Sequence, residues 1–178
     1  MRISIRAFTL LLACCLISVA EAKRVPNLEF KDLSGATEKI STLHGSIAVI
    51  NFWATWCGPC QEELPMLSRL TTEYAGKKVR FIAISADENP ENAKNRTKID
   101  QFLNARKPAM EIWLGADLDM LERLNLGNVL PATVIVDENG EVIARVLGQA
   151  REEDLRTPLD WLLNGRTGPQ PTPLTKHY

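Results

Sequence analysis

Cysteine is scarce in this sequence. The 178-residue chain holds 4, and two of them, Cys14 and Cys15, fall in an apolar leader. The other two, Cys57 and Cys60, sit three positions apart, which excludes a scaffold stapled by several well-spread disulfides. Histidine is scarcer still, with only His44 and His177. A structural zinc wants four ligands, and His44 lies 13 residues before Cys57 while His177 is near the C-terminus, so no metal site is expected and no cofactor is called for. The net charge of -1 lacks the basic excess that would suit nucleic acid or an anionic membrane surface. No apolar run reaches the ~20 residues of a membrane-spanning helix.

The leader is the longest apolar stretch. Arg2 and Arg6 precede an almost wholly apolar run from Ala7 to Val19, and Ala20-Glu21-Ala22 offers a small-x-small cleavage site. Residues 1–22 therefore read as a signal peptide, with a mature start at Lys23. Two other readings share the segment. Leu11-Leu12-Ala13-Cys14 looks like a lipoprotein processing site that would lipidate Cys14, and the run could also remain as an uncleaved anchor. All three place the domain outside the cytoplasm. Residues 23–165 form the expected domain. Residues 166–178 carry Pro169, Pro171 and Pro173 with no apolar pattern, and are expected to be a disordered tail.

Within the domain, Leu28–Phe30 and Thr37–Ser41 suit short strands around a Ser34-Gly35 turn. Ile47–Trp53 and Val79–Ser85 are near-continuous apolar runs, as in strands buried on both faces. Between them Leu64, Leu67, Leu70 and Tyr74 recur at helical spacing, predicting a helix over Gly58–Tyr74 that Pro65 should kink. Asn89-Pro90 begins a polar helix running to about Asn104. Pro108–Leu114 returns to the sheet, and Leu118–Leu124 is a short helix. Ala132–Val136 and Val142–Leu147 make a hairpin about Asn139-Gly140, and Glu152–Leu163 closes the domain as a helix. Alternating strand and helix with a final hairpin implies an α/β fold, a mixed sheet covered by helices.

The chemistry concentrates in Asn51-Phe52-Trp53-Ala54-Thr55-Trp56-Cys57-Gly58-Pro59-Cys60. A buried strand feeds a short loop that opens a helix at Cys57. Unpaired N–H groups and the dipole at a helix start stabilise a thiolate, so Cys57 is the expected attacking sulfur. Cys60, one turn further in, is placed to resolve a mixed disulfide. Pro59 suits an early helical position, where its missing N–H costs little.

Trp-Cys-Gly-Pro-Cys resembles the thioredoxin active-site motif, and Leu130-Pro131-Ala132-Thr133 resembles its second marker. The longer Asn-Phe-Trp-Ala-Thr-Trp-Cys run is similar to the exported TlpA/ResA-type branch, over about Val25 to Leu163. The resemblance implies a thioredoxin-like fold with an N-terminal extension and an extra segment within Ser85–Lys107. It implies a redox-active Cys57–Cys60 disulfide supported by Gly58 and Pro59, and a cis Leu130–Pro131 bond facing it, with the Leu130 backbone pairing to substrate chain; Trp56, in the loop before Cys57, is read as shaping the rim. Cytoplasmic thioredoxins carry a buried Asp where this chain has Asn51, and an amide cannot act as a base. By the same resemblance Glu88 becomes the candidate proton shuttle for Cys60. The competing reading makes Asp87 and Glu88 solvated acids ahead of a helix. Glu62 and Glu63, placed in the first turn of the helix, are read as complementing its dipole. Thr133 could touch substrate but needs no such role in a strand.

The resulting expectation is a periplasmic disulfide reductase, with tethering to the membrane through the N-terminal segment as the alternative. Its partners would be disulfide-bearing exported proteins, of the cytochrome c maturation or copper-site assembly type, and a membrane electron donor. No nucleic acid is expected, and a monomer is. The rival directions are an oxidase or isomerase, and a different class again is a thiol-based copper-binding or metallochaperone module.

Overall fold

A computed structural model describes residues 24–178; the leader, with its cleavage and Cys14 readings, lies outside the described residues. The strands are β1 (Glu29–Asp32), β2 (Thr37–Lys39), β3 (Ile47–Trp53), β4 (Val79–Ser85), β5 (Glu111–Leu114), β6 (Ala132–Val136), β7 (Val142–Gly148) and β8 (Leu174–His177). The helices are α1 (Gly58–Glu73), α2 (Ala93–Arg106), α3 (Leu118–Arg123) and α4 (Glu152–Leu163). One eight-stranded sheet takes the order β2-β1-β5-β4-β3-β6-β7-β8. β3 runs parallel to β4 and antiparallel to β6, so the mixed sheet expected from the alternating pattern is present.

β3 lies in the middle of the sheet and all seven of its residues are buried. Successive side chains of a strand face opposite ways. Ile47, Val49 and Trp53 enter the core formed with α1, α2 and α4, whereas Ala48, Ile50 and Phe52 enter a second core with α3 and the N-terminal segment. Asn51 belongs by this alternation to the first row, a polar residue aimed beneath α1. Helix α1 buries Cys60, Glu63, Leu64, Leu67 and Leu70. Helix α2 is the extra segment between β4 and β5. It lays Phe102 against Trp53, with ring centroids 4.9 Å apart, and Arg106 lies over Phe102.

Two boundaries differ from expectation. Helix α2 starts at Ala93 because the Asn92 side chain, rather than Asn89, accepts from Lys94 N–H. Asn89 instead takes a left-handed backbone with φ 43°. The second difference is larger. Residues 166–178, expected to be disordered, bury Pro171 and end in β8, parallel to β7 with Arg145 opposite Leu174 and Gly148 opposite His177. A strand added at a sheet edge is held by backbone pairing, so it needs none of the apolar periodicity by which a buried strand is recognised.

Leu67 is fully buried between the sheet and α1. Leu67→Ala is expected to cost about 2–5 kcal/mol in urea denaturation. A loss below about 1 kcal/mol would mean that α1 is not clamped to the sheet as described.

Candidate active site

β3 ends at Trp53, and the chain reaches α1 across only Ala54–Cys57. Two struts fix this loop. Asp87, just past the end of β4, accepts from Thr55 N–H at 3.0 Å and from Thr55 Oγ1 at 2.6 Å. Its other bonds are to Ser85, whose hydroxyl donates to Asp87 at 2.8 Å. Gln61 Nε2 donates to the Thr55 carbonyl at 2.8 Å, and Arg106 donates in turn to Gln61 Oε1 at 2.6 Å. The loop is thus bolted to β4 on one side and to α1 and α2 on the other.

Cys57 and Cys60 form a disulfide at the start of α1. Cys57 is the N-cap: its sulfur accepts from Cys60 N–H at 3.3 Å, the position that an unpaired helix-start donor occupies. Cys57 is 5% exposed and Cys60 not at all, so an incoming disulfide meets Cys57 first. Gly58 and Pro59 are exposed, and Trp56 stands out at 70% exposure. The Leu130–Pro131 peptide is cis, with Pro131 buried and its carbonyl accepting from Gly148 N–H at 2.9 Å.

A buried polar network lies one helical turn beyond Cys60. Glu63 is 2% exposed. Its Oε1 accepts from Asn51 Nδ2 at 2.6 Å and its Oε2 from Ala150 N–H at 2.8 Å. Asn51 also donates to Thr133 Oγ1, its neighbour across the β3–β6 pairing, at 3.1 Å. Burial pushes the Glu63 carboxyl up to about 7, against the two donors, which favour the carboxylate. Among the described residues no arginine, lysine or histidine hydrogen-bonds to it, so the group stays close to balance between its two forms near neutral pH.

Glu88 is placed differently from its expected role. It is exposed and only its backbone carbonyl is engaged, by Asn95 Nδ2 at 2.8 Å. The buried acids of the region are Glu63 and Asp87. The signal for Glu63 was available in the spacing. Cys60, Glu63, Leu64 and Leu67 form an i, i+3, i+4, i+7 stripe, which puts Glu63 on the apolar face while Glu62 points outward. Asn51, read only as a missing base, holds the carboxylate, and Thr133 holds Asn51. Asp87, read as solvated, is the loop strut.

Beside Trp56 opens a cavity of about 1360 Å³ whose wall includes Leu118, Val129 and Leu130. Leu118 is 63% exposed, so two large apolar side chains face water here. Asp87, Glu88, Asp117 and Asp119 also line it, against Lys98 as the one cation among the described residues.

The family model described as Redoxin matches residues 20–159. The thiol-disulfide oxidoreductase ResA of Bacillus thuringiensis (strain Al Hakam) is 30% identical over 133 residues, 75% of this chain and 73% of that protein. ResA of Bacillus subtilis (strain 168) is 24% identical over 150 residues, covering 84% and 80%. Among solved structures, the thioredoxin domain of a thiol-disulfide oxidoreductase from Bacteroides vulgatus superposes with a TM-score of 0.66 at 21% identity, covering 83% of this chain and all, 100%, of that one. StoA from Bacillus subtilis gives 0.60 at 20% identity, covering 75% and 96%.

The raised carboxyl has a stability consequence whose sign is fixed. Glu63 keeps its proton in the folded state to about pH 7, whereas its ordinary value is 4.5. Its contribution is fully present below pH 4.5 and is lost as pH rises through 7. The oxidised protein should lose about 3 kcal/mol across that window relative to Glu63→Gln, when the two are compared by denaturation at each pH. Parallel pH profiles would mean that the carboxyl is not desolvated in the folded protein.

Proposed function

The chain belongs to the redoxin family and is a thiol–disulfide oxidoreductase, and from that premise we propose that it works as an exported reductant, with Cys57 as nucleophile, Cys60 as resolving thiol and Glu63 as the acceptor of the Cys60 proton. The observation that carries the reading is the buried, uncompensated carboxylate one turn from the buried cysteine. In the reduced protein the Cys57 thiolate attacks one sulfur of a client disulfide, forming a mixed disulfide and releasing the first client thiolate. Cys60 then passes its proton to Glu63 and attacks Cys57 Sγ. This closes the Cys57–Cys60 disulfide and releases the second client thiolate. Two electrons have moved to the client, and a dithiol donor must return them before the next cycle.

The Gly58-Pro59 spacer, shared with reducing members of the thioredoxin-like group, supports this direction. The leader over residues 1–22 supports work outside the cytoplasm, in the periplasm, where a membrane electron donor would supply the dithiol. Clients of the cytochrome c maturation or copper-site assembly type, whose cysteines must be reduced before a metal or haem is attached, fit that location. The apolar, acid-lined cavity beside Trp56 suits an extended client segment that offers an apolar side chain and positive charge.

Three measurements test these assignments. The Cys57/Cys60 potential should fall near thioredoxin's ~-270 mV, and a value near the ~-120 mV of a strong oxidant would reverse the direction. Cys60→Ser should accumulate a covalent adduct with a disulfide client while Cys57→Ser forms none; adducts with Cys57→Ser alone would exchange the two roles. Model peptides carrying one disulfide flanked by lysines should be reduced roughly tenfold faster at low ionic strength than the same peptides flanked by glutamates. Glu88→Lys should shrink that preference, and so should added salt. Equal rates for both peptides would remove charge from client selection.

A further inference from the structure

Strand β8 lies beyond the residues matched by the family model, which end at 159, yet a chain of three contacts, two of them its own, links it to the active site. The first is backbone. His177 sits opposite Gly148, so closely that a Cβ on Gly148 would lie 2.4 Å from the His177 carbonyl oxygen. Gly148 has φ +89°, a left-handed backbone that glycine adopts without strain, and its N–H holds the Pro131 carbonyl. The second contact is a side-chain tie from His177 Nε2 to Asp154 Oδ2 at 2.7 Å, with only 17% and 10% of the two side chains exposed. The third is the capping bond of α4, in which the same Asp154 oxygen accepts from Arg151 N–H at 2.8 Å. Between these anchors lies Ala150, whose N–H donates to Glu63.

We infer that β8 is a positioning element for the buried acid. By gripping Gly148 through its backbone and Asp154 through His177, it fixes segment 148–154 so that the Ala150 N–H stays on the Glu63 carboxylate and the Gly148 N–H stays on the Pro131 carbonyl. His177 never meets the client. It acts through the peptide group that it immobilises. The Ala150 N–H favours the charged form of Glu63, so loosening the strand moves Glu63 toward its protonated form. The other groups on Glu63 are the Asn51 amide from β3, which Thr133 of β6 holds in turn, and neither titrates.

The inference rests on Glu63 serving as the proton acceptor, and the test reads Glu63 directly. In the oxidised full-length protein labelled with ¹³C at glutamate side chains, the Glu63 carboxyl signal is identified by its loss in Glu63→Gln and then titrated. The wild-type midpoint should lie near 7. His177→Ala should raise it by about half a unit as the Ala150 hydrogen bond weakens. His177→Gln, which can still donate to Asp154, should restore it, and Asp154→Asn gives a second route to the same break. Coincident midpoints in wild type and His177→Ala, with only the melting temperature lowered, would make β8 mere structural reinforcement and overturn the inference. A midpoint that moves as expected in an enzyme whose turnover is indifferent to Glu63→Gln would uphold the positioning role and sink the proton-transfer role instead.

Discussion

The carboxylate of Glu63 is kept in an apolar interior with two hydrogen-bond donors and, among the described residues, no cationic hydrogen-bond partner. Much of the surrounding architecture can be understood as what this arrangement requires. An amide from the central strand, a backbone N–H from the loop before α4 and a threonine across the sheet converge on one point beneath the redox helix. Two donors keep the group from being permanently protonated, and the missing cation keeps it from being permanently charged. A buried arginine partner would pin the carboxylate as an anion and leave it unable to take up a proton near neutral pH.

The cysteine pair depends on the same geometry from above. Helix α1 presents its free N–H groups to Cys57 while its buried face carries Cys60 and Glu63 inward, so one helix supplies both the electrostatics at Cys57 and the burial of the acid. Rigidity comes from the strand–loop–helix connection. Asp87 secures Thr55, Gln61 secures the loop carbonyl, and α2 seals Trp53 beneath Phe102. The exposed features, Trp56 and the acid-lined cavity, lie on the side from which a client would approach.

Much of this was legible in the residue pattern. The two-faced burial of β3 and β4 follows from their unbroken apolar runs, α4 was bounded at Glu152–Leu163, and the cysteine spacing with its flanking strand located the redox pair. What escaped has physical causes. Adjacent glutamates near a helix start look like dipole partners, but Glu62 and Glu63 fall beyond the first turn of α1, which holds no acid, and only the helical phase separates buried Glu63 from exposed Glu62. Asp87 and Glu88 are neighbours with opposite fates, because a loop has no periodicity from which burial can be read. Strand β8 is invisible to hydropathy because the ladder to β7 holds it, with His177 at its end tied to a residue 23 positions earlier.

The most direct test of the account is the rate at which the mixed disulfide resolves. Reduced wild-type and Glu63→Gln proteins would be mixed with a disulfide peptide under single-turnover conditions from pH 5 to 9, and release of the second peptide thiol followed in time. If Glu63 accepts the Cys60 proton, the wild-type rate should bend near pH 7, where the carboxyl titrates, and the variant should be slower with no bend there. Superimposable profiles would contradict proton transfer to Glu63 and leave the buried carboxylate without a part in the reaction.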